Sequence, residues 1–245
     1  MTSKHISMLP DAAAVAREAA RRFVELAQTV VAQRGSFGVA LAGGSTPRAM
    51  YQLLAQPPLR EQVPWDQVFL LWSDERFVAP DDADSNFLMV RETLLDHIPL
   101  HAANIYTVPT VGGTPEAAAL AYAETIEGFT SGTMRLDLVL LGIGPDGHTA
   151  SLFPGHPEVT NPPTPYVMAV YNSPKPPPTR VSFTLDLING AANVMVLATG
   201  SEKAAAVRRC LQPRVGEEQL PVGRVQPTNG ELVWLVDAAA GAGLV

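Results

Sequence analysis

Residues 136–155 read LDLVLLGIGPDGHTASLFPG, and the first third of that stretch decides the architecture. Leu136 to Leu141 is apolar at every position but Asp137, and six residues is a strand length rather than a helix length. Consecutive rather than alternating apolar residues mean that both faces of the strand are covered, as in a parallel sheet flanked by helices. Gly142-Ile143-Gly144 ends the run, and the spacing places a helix start near Gly147-His148.

The same alternation extends outward in both directions. Val15, Ala19, Phe23, Leu26 and Val30 recur every three or four residues, an amphipathic helix that Gly35 can terminate. Phe37 to Ala42 is a buried strand ending in Gly43-Gly44, and Ser45-Thr46-Pro47 opens a helix with proline at its first turn. Val68 to Trp72 is a strand, Ser85 caps a helix to about His97, and Asn104 to Val108 is a short strand. Thr114-Pro115 opens an alanine-rich helix ending near Phe129. Val167 to Val170, Val181 to Thr184 and Val194 to Thr199 are further strands. Ser201 to Leu211 is a helix, Leu232 to Val236 the last strand, and a short helical tail follows Asp237. Strands alternating with helices predict an α/β fold: an open, mainly parallel, doubly wound (Rossmann-like) sheet with helices on both faces. Residues 154–165 and 173–179 hold many of the 22 prolines and are loops. Neither is a Gly/Ser linker, so residues 1–245 read as a single domain.

Composition removes several functional classes. Hydrophobic residues make up 47% of the 245 and charged residues 17%, enough for a substantial core. No apolar run approaches the roughly 20 residues of a membrane span, and residues 1–23 lack the apolar segment of a signal peptide. Cys210 is the single cysteine, so no intrachain disulfide or CxxC site is possible, which suits a reducing compartment. The net charge of −7 and the absence of any long basic run argue against nucleic acid. An anionic ligand would have to be held by a few well-placed cations and backbone N–H groups.

In an open parallel sheet, ligands bind beyond the carboxyl ends of the strands. Four segments directly follow strands and so share that rim: Gly43-Gly44-Ser45-Thr46, Ser73-Asp74-Glu75-Arg76, Gly142 to His148, and Gly200-Ser201-Glu202-Lys203. The first is either a plain strand-to-helix turn or an anion cradle of glycines, hydroxyls and free helix N–H groups. The second is either a charged turn or a place where Asp74 meets substrate hydroxyls and Arg76 an anion. Lys203 is either solvated or part of the rim's positive charge. Arg180, after a rigid run of prolines, could aim a guanidinium at a phosphate. Residues 142–147 match GxGxxG, yet the segment lies mid-chain, Asp146 would face a pyrophosphate, and no acidic strand end follows about 20 residues on. A dinucleotide site is therefore rejected. What remains distinctive is Asp146-Gly147-His148, a carboxylate beside an imidazole, suited to a general base. No GxSxG elbow and no HExxH or clustered His/Cys set is present.

At these residues the chain resembles the 6-phosphogluconolactonase family. The likeness rests on LAGGSTPRAMYQLL (41–54), WSDERFV (72–78) with DSN (84–86), LGIGPDGHTASLFPG (141–155) and GSEK (200–203). It implies a cytoplasmic, cofactor-free and metal-free hydrolase of 6-phospho-D-glucono-1,5-lactone in the oxidative pentose phosphate pathway, with no obligate protein partner. By the same likeness His148 is the general base and Asp146 its supporting carboxylate. Gly43, Gly44, Ser45 and Thr46, with Arg76, Arg180 and Lys203, are by that likeness candidates for holding sugar or phosphate, beside the Asp74 read from its place on the rim. Backbone N–H groups after Gly144 are the candidate oxyanion donors. The sister glucosamine-6-phosphate deaminases share the Asp-Gly-His turn but have a glutamate shortly after the histidine, where this chain has Phe153. A non-catalytic sugar-phosphate sensor is the remaining alternative.

Overall fold

The computed structural model describes residues 3–244. Nine strands and seven α-helices run in chain order as β1 (Ser3–Leu9), α1 (Ala12–Arg34), β2 (Phe37–Leu41), α2 (Ser45–Leu54), α3 (Leu59–Gln62), β3 (Val68–Trp72), β4 (Asp74–Arg76), α4 (Asn86–Thr93), α5 (Pro115–Phe129), β5 (Leu138–Gly142), β6 (Val167–Val170), β7 (Arg180–Phe183), α6 (Leu185–Gly190), β8 (Asn193–Ala198), α7 (Ala204–Leu211) and β9 (Glu231–Asp237). Six strands form one all-parallel sheet in the order β1-β9-β8-β5-β2-β3. The other three form a small antiparallel sheet, β4-β7-β6.

The consecutive apolar residues of the strands are explained by two cores, one on each face. Along β5, Leu138 and Leu140 pack with α1, α2 and α4, through side chains such as Phe23, Met50 and Val90. Val139 and Leu141 face the opposite way, onto Tyr122 and Ile126 of α5 and onto Val181 and Phe183 of the small sheet. Alternation with period two thus feeds two apolar layers, and each fully buried Val or Leu stabilises by about 1.5–3 kcal/mol. The polar Asp137 sits just before β5, where its carboxylate accepts the Gly38 N–H (2.8 Å) and pairs with Arg34. That pair lies at the amino ends of the strands, away from the predicted rim. No helix among the described residues is long and apolar enough to cross a membrane.

Helix boundaries follow local chemistry. Asp11 caps α1 by accepting the Ala14 N–H (2.7 Å), and Gly35, at φ +80°, closes it with an N–H to Val31 O. Ser85 caps α4 and Thr114 caps α5 in the same way.

Four local expectations are corrected. Ser3–Leu9 is an additional edge strand, hidden from sequence by its mostly exposed, mixed composition. Residues 104–108 make only a single bridge, Leu70 to Ile105, because a 3-10 turn precedes them and Pro109 follows. No helix starts at Gly147-His148. The Gly144 N–H donates to His148 O (2.9 Å) and Gly147 takes φ +84°, so the segment closes as a tight turn. The tail after Asp237 forms hydrogen-bonded turns, capped by the Asp237 carboxylate on the Ala240 N–H (2.7 Å).

Candidate functional site

A cleft of about 280 Å³ lies beyond the carboxyl ends of β2, β3, β5 and β8, four adjacent strands. The chain runs from β2 through α2 to β3 on one side, then crosses back to β5 on the other side of β2. The cleft therefore sits at a reversal of strand order, the place where open sheets leave a crevice. Its walls include Gly43, Gly44, Ser45, Thr46, Asp74, Arg76, His148, Arg180 and Lys203. All the residues singled out from sequence thus converge, except Asp146, which reaches the cleft through His148.

The glycine turn after β2 leads into α2 with Gly44 in the N-cap position at φ +104°. No side chain caps this helix, so its first-turn N–H groups are free to meet an anion. Gly43 has no room for a Cβ, which would collide with the Asn86 carboxamide. Thr46 is buried, and its hydroxyl shares a 2.6 Å hydrogen bond with that of Thr199, tying the β2 rim to the β8 rim.

Residues 74–76 are neither a turn nor merely charged: they form β4. Asp74 is buried and accepts from the Ser151 hydroxyl (2.7 Å). Glu75 turns away from the cleft and accepts the N–H groups of Arg76, Asn86 and Phe87, each at 2.7 Å, capping α4. Burial pushes its carboxyl up to about 6, against the pull of those three donors. Arg76 donates to Asp84 O (2.7 Å), while its buried Nε has no partner among the described residues.

The register of β4 on β7 places Arg76 directly opposite Arg180. Two cations so paired across an antiparallel ladder repel one another. Arg180 is also a brace. Its Nε donates to Pro177 O (3.2 Å), and one Nη donates to Lys175 O and Pro176 O (both 3.1 Å), fixing the proline-rich loop. Its guanidinium lies 5.7 Å from the centroid of the Phe153 ring. Burial lowers the pKa of Arg180, as it does that of Lys203.

His148 stands on the turn after β5. Its Nδ1 is 2.5 Å from Asp146 Oδ1, so Nδ1 carries the proton and Nε2 keeps the lone pair. Gly144 makes this possible, because a Cβ there would strike both the imidazole and the Asp146 carboxylate. The Phe153 ring packs on the imidazole with centroids 4.8 Å apart. Burial holds the His148 pKa below its ordinary 6.5, with Asp146 pulling the other way, so the ring is neutral at physiological pH.

Two features escaped the sequence reading. Lys175 lines the cleft from the middle of the proline-rich loop, where sequence offered no sign of its direction. The expected oxyanion donors are also mostly engaged. The N–H groups of Gly144, Gly147 and His148 donate within the turn, that of Thr149 donates to Leu152 O, and Pro145 has none.

Residues 10–234 match the family described as glucosamine-6-phosphate isomerases/6-phosphogluconolactonase. A 6-phosphogluconolactonase of Nostoc sp. is 38% identical over 245 residues, covering 98% of each chain. Among solved structures, the 6-phosphogluconolactonase from Trypanosoma brucei is similar at TM-score 0.82 and 30% identity, over 99% of each chain. That from Trypanosoma cruzi reaches TM-score 0.86 at 27% identity, over 100% of this chain and 98% of its own.

Proposed function

The chain belongs to the family of glucosamine-6-phosphate isomerases and 6-phosphogluconolactonases, and within it we propose that the cleft opens 6-phospho-D-glucono-1,5-lactone to 6-phospho-D-gluconate with His148 as general base. It is an ester hydrolase of the 6-phosphogluconolactonase type. The observation that carries the proposed chemistry is the 2.5 Å contact between His148 Nδ1 and Asp146, on the wall of a cleft lined by cations.

In this reading the open N-terminus of α2, Gly43 to Thr46, Arg76 and Lys203 receive the phosphate. Asp74 accepts a sugar hydroxyl, and Arg180 adds charge while bracing its loop. A water then attacks C1. Its oxygen bonds to carbon, its proton passes to His148 Nε2, and the carbonyl electron pair moves onto the exocyclic oxygen. When that pair returns, the bond from C1 to the ring oxygen breaks, and the imidazolium proton goes to the departing oxygen. The products are a carboxylic acid, which ionises, and a free hydroxyl. Asp146 stabilises the transient imidazolium and fixes the tautomer. Positioned acid–base catalysis of this kind contributes about 10²–10⁴ in rate.

Phe153 supports hydrolysis over isomerisation. It packs against the imidazole at the place where the deaminase branch has its extra acid, and lactone opening needs no proton removed from C2. We further read the enzyme as cytoplasmic, as the family resemblance implies, and residues 1–245 as one functional unit, because strands from β2 to β8 supply the same cleft.

The test generates the phosphorylated lactone in situ and follows its loss with and without enzyme. Acceleration well above the spontaneous rate, and much weaker for D-glucono-1,5-lactone, is the expected result. No acceleration of the phosphorylated lactone overturns the proposal.

A further inference from the structure

Opening the lactone puts negative charge in two places: permanently on the phosphate, and transiently on the C1 oxygen. Four cations line the cleft, Arg76, Lys175, Arg180 and Lys203. Arg76 and Arg180 form one pole, opposite each other on the β4–β7 ladder. Lys175 is held differently. Its carbonyl accepts from the Ser173 hydroxyl (2.8 Å) and from Arg180 Nη2 (3.1 Å), and its own N–H donates to the Ser173 hydroxyl (3.2 Å). A backbone fixed at both its N–H and its C=O, between prolines, fixes the direction in which the side chain leaves the loop, and the cleft is what it lines. That side chain makes no hydrogen bond or ion pair among the described residues. Meanwhile the N–H groups of Gly144, Gly147, His148 and Thr149 are already engaged and cannot serve the C1 oxygen without breaking those bonds.

Resting on the lactonase reading above, we propose that Lys175 is a catalytic residue whose ammonium stabilises the oxyanion formed at C1, rather than a ligand of the phosphate. Its field supports this placement. The charge of Lys175 acts on the His148 ring and the Asp146 carboxylate, and on Lys203 as well, while Arg180 feels Arg76, Asp74, Asp84 and Glu75. A cation beside a developing oxyanion in a partly desolvated cleft lowers the barrier without tightening the ground state. It also disfavours imidazolium in the free enzyme. The charged and titratable groups facing the ring are Asp146, Lys175 and Asp74.

The test is steady-state kinetics of Lys175→Met and Lys175→Arg on the phosphorylated lactone and on D-glucono-1,5-lactone, across pH 5–8. For Lys175→Met we expect kcat to fall about 10²-fold, with KM nearly unchanged. The ratio of kcat/KM between the two lactones should stay as in the wild type, because the lost interaction is at C1, which both share. The acid limb of kcat/KM should move to higher pH, since removing a neighbouring cation raises the imidazole pKa. Lys175→Arg should recover much of the turnover. A raised KM together with a collapsed preference for the phosphorylated lactone would instead make Lys175 a phosphate ligand and overturn the proposal. So would a folded Lys175→Met enzyme with wild-type kinetics, or a loss of activity with no shift of the acid limb. A wild-type enzyme inert on the phosphorylated lactone would sink the lactonase reading itself, a distinct result.

Discussion

Everything assigned to His148 depends on one atom keeping its lone pair. Asp146 accepts a hydrogen bond from the Nδ1–H, and burial keeps the ring neutral, so Nε2 is available for the proposed role as base above a pKa lower than 6.5. The sign of the pH dependence follows. Activity rises with pH as imidazolium gives up its proton, and the limb has its midpoint below 6.5 and a plateau through neutrality, as a pH–kcat/KM profile would show. His148→Ala should lower kcat by about 10²–10⁴-fold and leave KM close to wild type. Asp146→Asn should also depress kcat, because an amide can hold the ring but cannot stabilise its charged form. Both residues were visible in sequence, as was the acid–base pairing, since two residues separated by one glycine must be neighbours. Lys175 was not, because only the folding of a proline-rich loop decides where its side chain goes.

At the scale of elements, the rim depends on Glu75 as much as on any residue lining the cleft. Its carboxylate satisfies three backbone N–H groups and starts α4, whose Asn86 side chain donates to Asp74 O (2.9 Å) and packs against Gly43. Glu75→Ala should destabilise the fold by about 3 kcal/mol, the cost of several buried N–H groups left unpaired, read as a lower urea midpoint. It should also raise KM, since Asp74 and the glycine turn lose a shared support. The sequence placed most of these elements well where a cap or a continuous apolar run marks them, as at Ser85 and along β3 and β5. It missed β1, whose edge position demands no apolar face. It also mistook the Asp-Gly-His turn for a helix start, because a glycine after a strand allows either outcome and a hydrogen bond formed only in the fold selects one.

Over the whole molecule, charge is distributed unevenly. A chain of net charge −7 gathers four cations around one cleft, so the field that draws in an anion is local and open to screening. KM for the phosphorylated lactone should therefore rise as salt is taken from about 0.05 M to 0.5 M, where the screening length falls to a few ångströms, while kcat changes little. The parallel sheet and its two covered faces were legible from the alternation of strands and helices. The small antiparallel sheet was not, since pairing between residues 74–76 and 180–183 spans about a hundred residues and leaves no local periodic mark.

That distant pairing has a thermodynamic consequence. Setting Arg76 across from Arg180 places two like charges side by side, offset in part by Asp74, Asp84 and Glu75, and an anion bridging the two guanidiniums would offset them further. Heat resistance should accordingly respond to the valence of the anion: inorganic phosphate or sulfate should raise the melting temperature more than chloride at matched ionic strength, and Arg76→Gln should erase most of that difference.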